Sequence, residues 1–188
     1  FRAACVSSPS LEIALTMPRW QERLGRMVLF FWPGMKLKNL THPDLLSHDS
    51  EVVQNYRKDP LVSDFVTIGI GNQLLRNLET IHGLCNKIKT PLILLHGSED
   101  HYCSAGGTAA FFKELRLAKK VLKIYEGKYH ELLNETGKED IFREIEAWFE
   151  ATKPCKYEMP CAELCGFGHS GMNGWLFVHS TEEYEKWV

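Results

Sequence analysis

An uninterrupted apolar run from Leu92 to Leu95 limits most strongly what this chain can fold into. Proline precedes the run, and His96-Gly97-Ser98 ends it. A strand with one face in water alternates apolar and polar side chains, so four consecutive apolar residues indicate a strand buried on both faces. Such strands occur in parallel sheets that helices cover on both sides.

Helical and extended patterns alternate after this run. Ala109, Phe112 and Leu115 stand at helical spacing, and Val121 to Tyr125 follow as a second apolar strand. A last amphipathic helix is predicted over 138–152. Strand, helix, strand and helix in this order predict a right-handed parallel βαβ arrangement.

Upstream of the run, the chain predicts one more strand and several helices. Residues 3–6 are short and apolar, which is typical of a buried strand. The predicted helices cover 18–32, 50–58 and a segment that Ser63 caps and that reaches Lys87.

The pattern changes at Lys153-Pro154. Residues 175–179 predict a strand, and Ser180 to Glu183 form a capping box that opens a short terminal helix. We therefore predict two domains, 1–152 and 153–188.

Composition excludes some classes of function. The formal net charge is −2, and no basic excess favours nucleic-acid binding. The longest apolar stretch, Met27 to Trp32, is far shorter than the roughly 20 residues of a membrane-spanning helix. Any membrane association is therefore expected through partners or the surface. Cys5, Cys85 and Cys103 are scattered, which predicts buried thiols rather than a disulfide framework.

Two motifs, "TPLILLHGSEDHYCS" and "LKIYEGKYHELLNE", resemble the α/β-hydrolase superfamily, nearest the monoglyceride lipase and lysophospholipase group. The resemblance covers about residues 1–152 and implies the C-terminal half of a parallel sheet with cap helices. It implies that Asp100 is the acid of a catalytic triad and that His130 is its base. Histidine relays a proton and the carboxylate fixes its tautomer, so both residue types suit these roles. His96 and His101 flank the acid, and we interpret them as polar residues at a strand end.

The same resemblance predicts what precedes this chain. These enzymes carry the serine on a G-x-S-x-G elbow before the strand that resembles residues 3–6. We therefore expect the nucleophile and the oxyanion-hole loop to lie upstream, and Asp100 and His130 to be vestigial, without independent hydrolase activity. The open sheet edge that remains is expected to need a partner.

The run "CAELCGFGHSGM" concentrates soft metal ligands near the C-terminus. It offers two thiolates, Cys161 and Cys165, the imidazole of His169 and the thioether of Met172. Thiolate together with thioether favours copper. A structural zinc site more often uses C-x-x-C pairs and gains nothing from methionine.

This tail also resembles the C-terminal end of cytochrome c oxidase subunit II, whose motif C-x-E-x-C-G-x-x-H-x-x-M is present in full. The resemblance implies that Cys161 and Cys165 bridge the two metals of a dinuclear copper (CuA) centre. His169 and Met172 would ligate one copper each, and the backbone carbonyl of Glu163 would bind one. The Glu163 side chain would face a magnesium site shared with subunit I. The implied fold is a short β-rich cupredoxin-type tail that completes a barrel with a partner chain.

The leading hypothesis is therefore that this chain is a fragment of subunit II that accepts electrons from cytochrome c. Its expected place is the intermembrane-space side of the mitochondrial inner membrane, without a transmembrane helix of its own. The expected partners are oxidase subunit I, cytochrome c and another fragment of subunit II that supplies a second histidine ligand. Two alternatives stay open. One is a serine hydrolase of lipid monoesters whose nucleophile lies upstream of Phe1, and the other is a structural accessory subunit.

Overall fold

The structure, a computed structural model, describes residues 3–14, 28, 32, 34–39, 41–151, 155–160 and 173–178, the last two ranges by their backbone alone. Its strands are β1 (Ala4–Ser7), β2 (Lys36–Lys38), β3 (Phe65–Thr67), β4 (Leu92–Gly97), β5 (Lys120–Tyr125), β6 (Cys155–Pro160) and β7 (Asn173–Val178). Its helices are α1 (Ser50–Lys58), α2 (Ile68–Ile81), α3 (Ala105–Glu114) and α4 (Lys138–Glu150). The helices predicted over 18–32 and after Ser180 fall outside the described residues.

Three strands form a parallel sheet in the order β1-β4-β5. Ile93 in the central strand pairs with Cys5 on one side and with Val121 on the other. Helix α3 connects β4 to β5, as the alternating sequence pattern predicts. The predicted parallel α/β sheet is confirmed.

The side chains of β4 are buried on both faces of the sheet, because successive residues of a strand point to opposite sides. Ile93 and Leu95 pack in one core cluster with residues of α4. Leu92 and Leu94 pack in a second cluster with Phe111 and Leu115. Each such side chain contributes about 1.5–3 kcal/mol through removal from water. This burial holds β4 in place in the sheet and so fixes the position at which the strand ends and the following loop begins.

The start of α2 differs from the prediction. The Ser63 hydroxyl bonds to Phe65 within its own turn instead of capping a helix. Residues 65–67 then form β3, which pairs antiparallel with β2. The helix begins at Ile68, where the Thr67 side chain accepts a hydrogen bond from the N–H of Ile70.

The tail contains one antiparallel ribbon, in which β6 pairs with β7 from Cys155 opposite Val178 to Pro160 opposite Asn173. Strand β7 agrees with the strand predicted at 175–179. Within the described part of the tail, nothing shows the predicted cupredoxin-type barrel, and the domain boundary near residue 153 stays a prediction. Among the residues described, no helix is both long and apolar enough to cross a bilayer.

Candidate active site

Asp100 stands in the turn that follows β4. Its Oδ1 atom accepts hydrogen bonds from the backbone N–H groups of Tyr102 (2.8 Å) and Cys103 (2.9 Å). This Asx turn is local, so the sequence after β4 is sufficient to fix the carboxylate. The other oxygen, Oδ2, is left to receive donors from more distant parts of the chain.

His130 follows β5 and reaches that oxygen. Its Nδ1 atom lies 2.6 Å from Oδ2 of Asp100, and the histidine side chain is 9% exposed. A carboxylate accepts only, so Nδ1 carries the proton and the lone pair is on Nε2. The structure thus brings together the two residues that the hydrolase resemblance singles out.

The pKa of Asp100 is held well below its ordinary value. Burial would raise this pKa, but hydrogen bonds from His130 and His96 to the carboxylate outweigh burial. The group therefore stays charged and can stabilise a protonated imidazole beside it.

His96 is part of this site, and its interpretation as a mere strand-end polar residue misses that role. The side chain is 0% exposed, and Nε2 lies 3.1 Å from Oδ2 of Asp100 and 3.2 Å from the carbonyl oxygen of Cys103. Since a carbonyl oxygen accepts only, Nε2 carries the proton and Nδ1 accepts from the Thr108 hydroxyl at 2.8 Å. Asp100 is thereby held by two imidazole donors. The signal in the sequence was a histidine at the end of a doubly buried strand.

Ser8 is a second residue that the sequence did not reveal. It follows β1, is 2% exposed and has a φ of 43°, a conformation uncommon outside glycine. Its hydroxyl donates to the carbonyl oxygen of His130 at 2.5 Å, and its N–H donates to the carbonyl oxygen of Leu95 at 2.8 Å. The strained residue therefore ties the backbone of the histidine to the sheet.

Cys103 completes a group of possible metal ligands in the described part of the chain. One ligand atom from each of Asp100, Cys103 and His130 lies within 4.8 Å of the others. The Cys103 thiol is also 3.2 Å from the Ser10 hydroxyl. A metal held by Nδ1 would replace the 2.6 Å hydrogen bond between His130 and Asp100, so this arrangement fits an acid–base pair better than a metal centre.

The metal ligands predicted in the tail lie outside the described residues. They are Cys161, Glu163, Cys165, His169 and Met172. The copper centre and the magnesium predicted there stay predictions. Thiolate and thioether are ligands that suit copper, whereas magnesium would need the carboxylate oxygens of Glu163.

The family model of serine aminopeptidase, S33 (Hydrolase_4) matches residues 1–137. This chain belongs to that family. It is 32% identical to human monoglyceride lipase over 125 residues, which are 60% of this chain and 41% of the lipase. It is 29% identical to a monoglyceride lipase homolog of monkeypox virus over 151 residues, which cover 79% of this chain and 54% of the homolog. The crystal structure of the Paleococcus ferrophilus monoacylglycerol lipase matches with a TM-score of 0.75 and 29% identity, over 81% of this chain and 60% of that one. The chain thus spans about half the length of these curated relatives.

These findings overturn the leading hypothesis of the sequence analysis. The identification as a fragment of cytochrome c oxidase subunit II is wrong, because the family match covers residues 1–137 and the human and Paleococcus ferrophilus relatives are lipases. The electron-transfer function, the respiratory-chain membership and the predicted partners (subunit I, cytochrome c and a second subunit II fragment) are wrong with it. The expectation of no independent hydrolase activity is also contradicted, since the S33 family and these relatives are hydrolases.

Proposed function

We propose that this chain supplies the acid and the base of a serine hydrolase that cleaves monoacylglycerols. The observation that carries the proposal is the buried 2.6 Å hydrogen bond from His130 to Asp100. The monoglyceride lipases among the relatives support the choice of substrate class. The mitochondrial location that the sequence analysis predicted stays a prediction.

The geometry fits the chemistry of a general base. His130 would take the proton of a serine hydroxyl through Nε2 as the serine oxygen bonds to the ester carbonyl carbon. The same proton then goes to the glycerol oxygen as the ester C–O bond breaks. Water attacks the acyl-enzyme in the second half-reaction, and His130 again moves the proton. Asp100 holds the ring in the required tautomer and stabilises its charged form.

The serine nucleophile and the oxyanion hole belong to the proposal as groups on the N-terminal side of Phe1. The family order of serine, acid and base supports this assignment, because β1 resembles the strand that follows the nucleophile. The matched segments cover only 54% and 41% of these two relatives, which leaves room for such groups outside them.

The test uses the complete natural polypeptide and measures fatty acid released from monooleoylglycerol. His130→Gln should lower kcat by more than about 10³-fold, because the serine then has no base. His42→Gln is the matched control, since His42 is exposed and bonds Tyr102 through its backbone. Wild-type turnover in His130→Gln, or no fatty acid from the folded wild type, would contradict the proposal.

A fluorophosphonate probe locates the nucleophile in the same preparation. Labelling of a serine N-terminal to Phe1 supports the assignment, and labelling of a serine within residues 1–188 overturns it.

An aminoacyl anilide serves as the competing substrate. Its hydrolysis without any release of fatty acid would refute the ester specificity and favour a peptidase.

A further inference from the structure

Glu135 is a fully buried carboxylate in the loop that carries His130. Its side chain is 0% exposed. Oε1 accepts the N–H of Tyr129 at 2.9 Å and lies 2.9 Å from Nδ1 of His48. Oε2 accepts the N–H groups of His48 (3.3 Å) and Thr136 (3.1 Å). A buried carboxylate is unfavourable without such donors, so the charge and the loop geometry depend on one another.

The charged form of Glu135 is favoured in spite of burial. Burial would raise the pKa of this carboxyl, but the hydrogen bonds from the Tyr129 backbone and from His48 lower it on balance. The donors therefore bind a carboxylate rather than a neutral acid.

The two segments that Glu135 joins make further contacts. The N–H of Glu131 donates to the carbonyl oxygen of Leu46 at 2.9 Å, and the Ser47 hydroxyl donates to the carbonyl oxygen of Asn134 at 2.8 Å. The His48 ring stacks on Tyr129 with centroids 3.8 Å apart. Residues 46–48, which lead into α1, are thus docked on both sides of His130.

We propose that Glu135 and His48 are a positioning pair that keeps His130 in register with Asp100. The N–H that Glu135 binds belongs to Tyr129, the residue directly before the histidine, so displacement of the carboxylate moves the imidazole. The pair also makes the placement of the base depend on docking of residues 46–48. This inference rests on the proposed function for its effect on turnover, but its effect on the Asp100–His130 hydrogen bond stands independently.

The experiment compares this pair with a second His–Glu pair in the same chain. His82 and Glu114 are 3.0 Å apart and about half exposed, and neither lies in the loops of the site. The variants are Glu135→Gln, His48→Ala and His48→Arg, with His82→Ala and Glu114→Gln as controls. Arginine keeps an N–H donor towards Glu135, so it is the conservative replacement.

The first measurement is the low-field proton NMR resonance of His130 Nδ1–H. A short hydrogen bond to a carboxylate produces such a resonance, and its loss in His130→Gln assigns it to this histidine. Glu135→Gln and His48→Ala should weaken or shift this resonance, and His48→Arg should restore it. In the complete polypeptide, kcat should fall about 10- to 100-fold with little change in KM, because a displacement of about 1 Å has effects of this size. The controls should match the wild type.

Two outcomes would overturn the inference. One is an unchanged resonance and kcat in Glu135→Gln, and the other is equal impairment in His48→Arg and His48→Ala. If Glu135→Gln does not fold, the two His48 variants decide the question. The resonance needs no nucleophile, so a protein without esterase activity fails the proposed function and still tests the positioning pair.

Discussion

Gly97→Ala should separate the acid from the base, because Gly97 ends β4 directly beneath the loop that leads to His130. A Cβ atom on Gly97 would lie 2.2 Å from the carbonyl oxygen of Lys128 and 2.4 Å from that of Tyr129. Both obstacles are backbone atoms, so the loop must retreat by about 1 Å to reach ordinary contact. The 2.6 Å hydrogen bond between His130 and Asp100 would then lengthen to about 3.6 Å, which is beyond hydrogen-bonding range.

The expected loss of stability has two parts. Overpacking at a close approach costs about 1–3 kcal/mol. Loss of a hydrogen bond to a charged group costs about 1.5–3 kcal/mol more. For a chain of this size each kcal/mol lowers Tm by about 2–4 °C, so Gly97→Ala should melt roughly 10 °C below the wild type.

The assay is thermal unfolding followed by circular dichroism, together with the low-field resonance of the His130 ring. Gly71→Ala is the control, since Gly71 lies in α2 and a Cβ there has nothing within 4 Å. That variant should keep the resonance and gain about 0.5–1 kcal/mol of helix stability. The reasoning is refuted if Gly97→Ala melts within about 2 °C of the wild type and keeps the resonance.

Three further outcomes follow from the same site and its sheet. Asp100→Asn in the complete polypeptide should lower kcat by about 10⁴-fold, because the amide favours the wrong tautomer of His130; esterase kinetics measure this, and a change below tenfold contradicts it. The lowered pKa of Asp100 means that its charge stabilises the fold fully above its unfolded pKa of about 3.9 and progressively less as the pH falls towards the folded pKa. The Tm difference between wild type and Asp100→Asn should therefore shrink below about pH 4, and a difference that grows in acid would reverse the assigned sign. Burial raises the pKa of Cys5 to about 12, so iodoacetamide at pH 8 should alkylate this thiol about 10³-fold more slowly in the native than in the denatured chain; equal rates by mass spectrometry would exclude this.

The parallel sheet was predictable because its signal is local. Four apolar residues in a row define β4, and helical spacing defines the elements after it. Asp100 was found through the motif that resembles the α/β-hydrolases, and the structure shows that its turn is made by its own neighbours. Helix α1 matches the predicted range at both ends, with Asp49 as its cap.

The residues that the sequence did not reveal depend on contacts between distant segments. In the amino-acid sequence, His96 and Glu135 cannot be distinguished from ordinary polar residues. Only the packed structure shows that both side chains are buried. The ribbon of β2 and β3 was missed because each strand has three residues and carries exposed apolar side chains such as Phe65. No alternating pattern of useful length exists in such short strands.

The tail was misread for a different physical reason. A short run of metal-ligating residue types indicates which metals could bind there, but it does not indicate which fold holds those side chains. The second histidine that the oxidase resemblance requires was already missing from the sequence. The match to the hydrolase family over residues 1–137 outweighs a resemblance confined to the end of the chain.

The hydrogen bond from Ser8 to the carbonyl oxygen of His130 also bears on how the protein folds. The two residues are 122 positions apart, so this contact closes a long loop. Contacts of this kind form late, because the entropy of loop closure opposes them until nearer contacts have formed. During synthesis, the Ser8 hydroxyl cannot bond to the carbonyl oxygen of His130 until nearly the whole hydrolase-like segment has been made. The acid–base pair is therefore a product of completed folding.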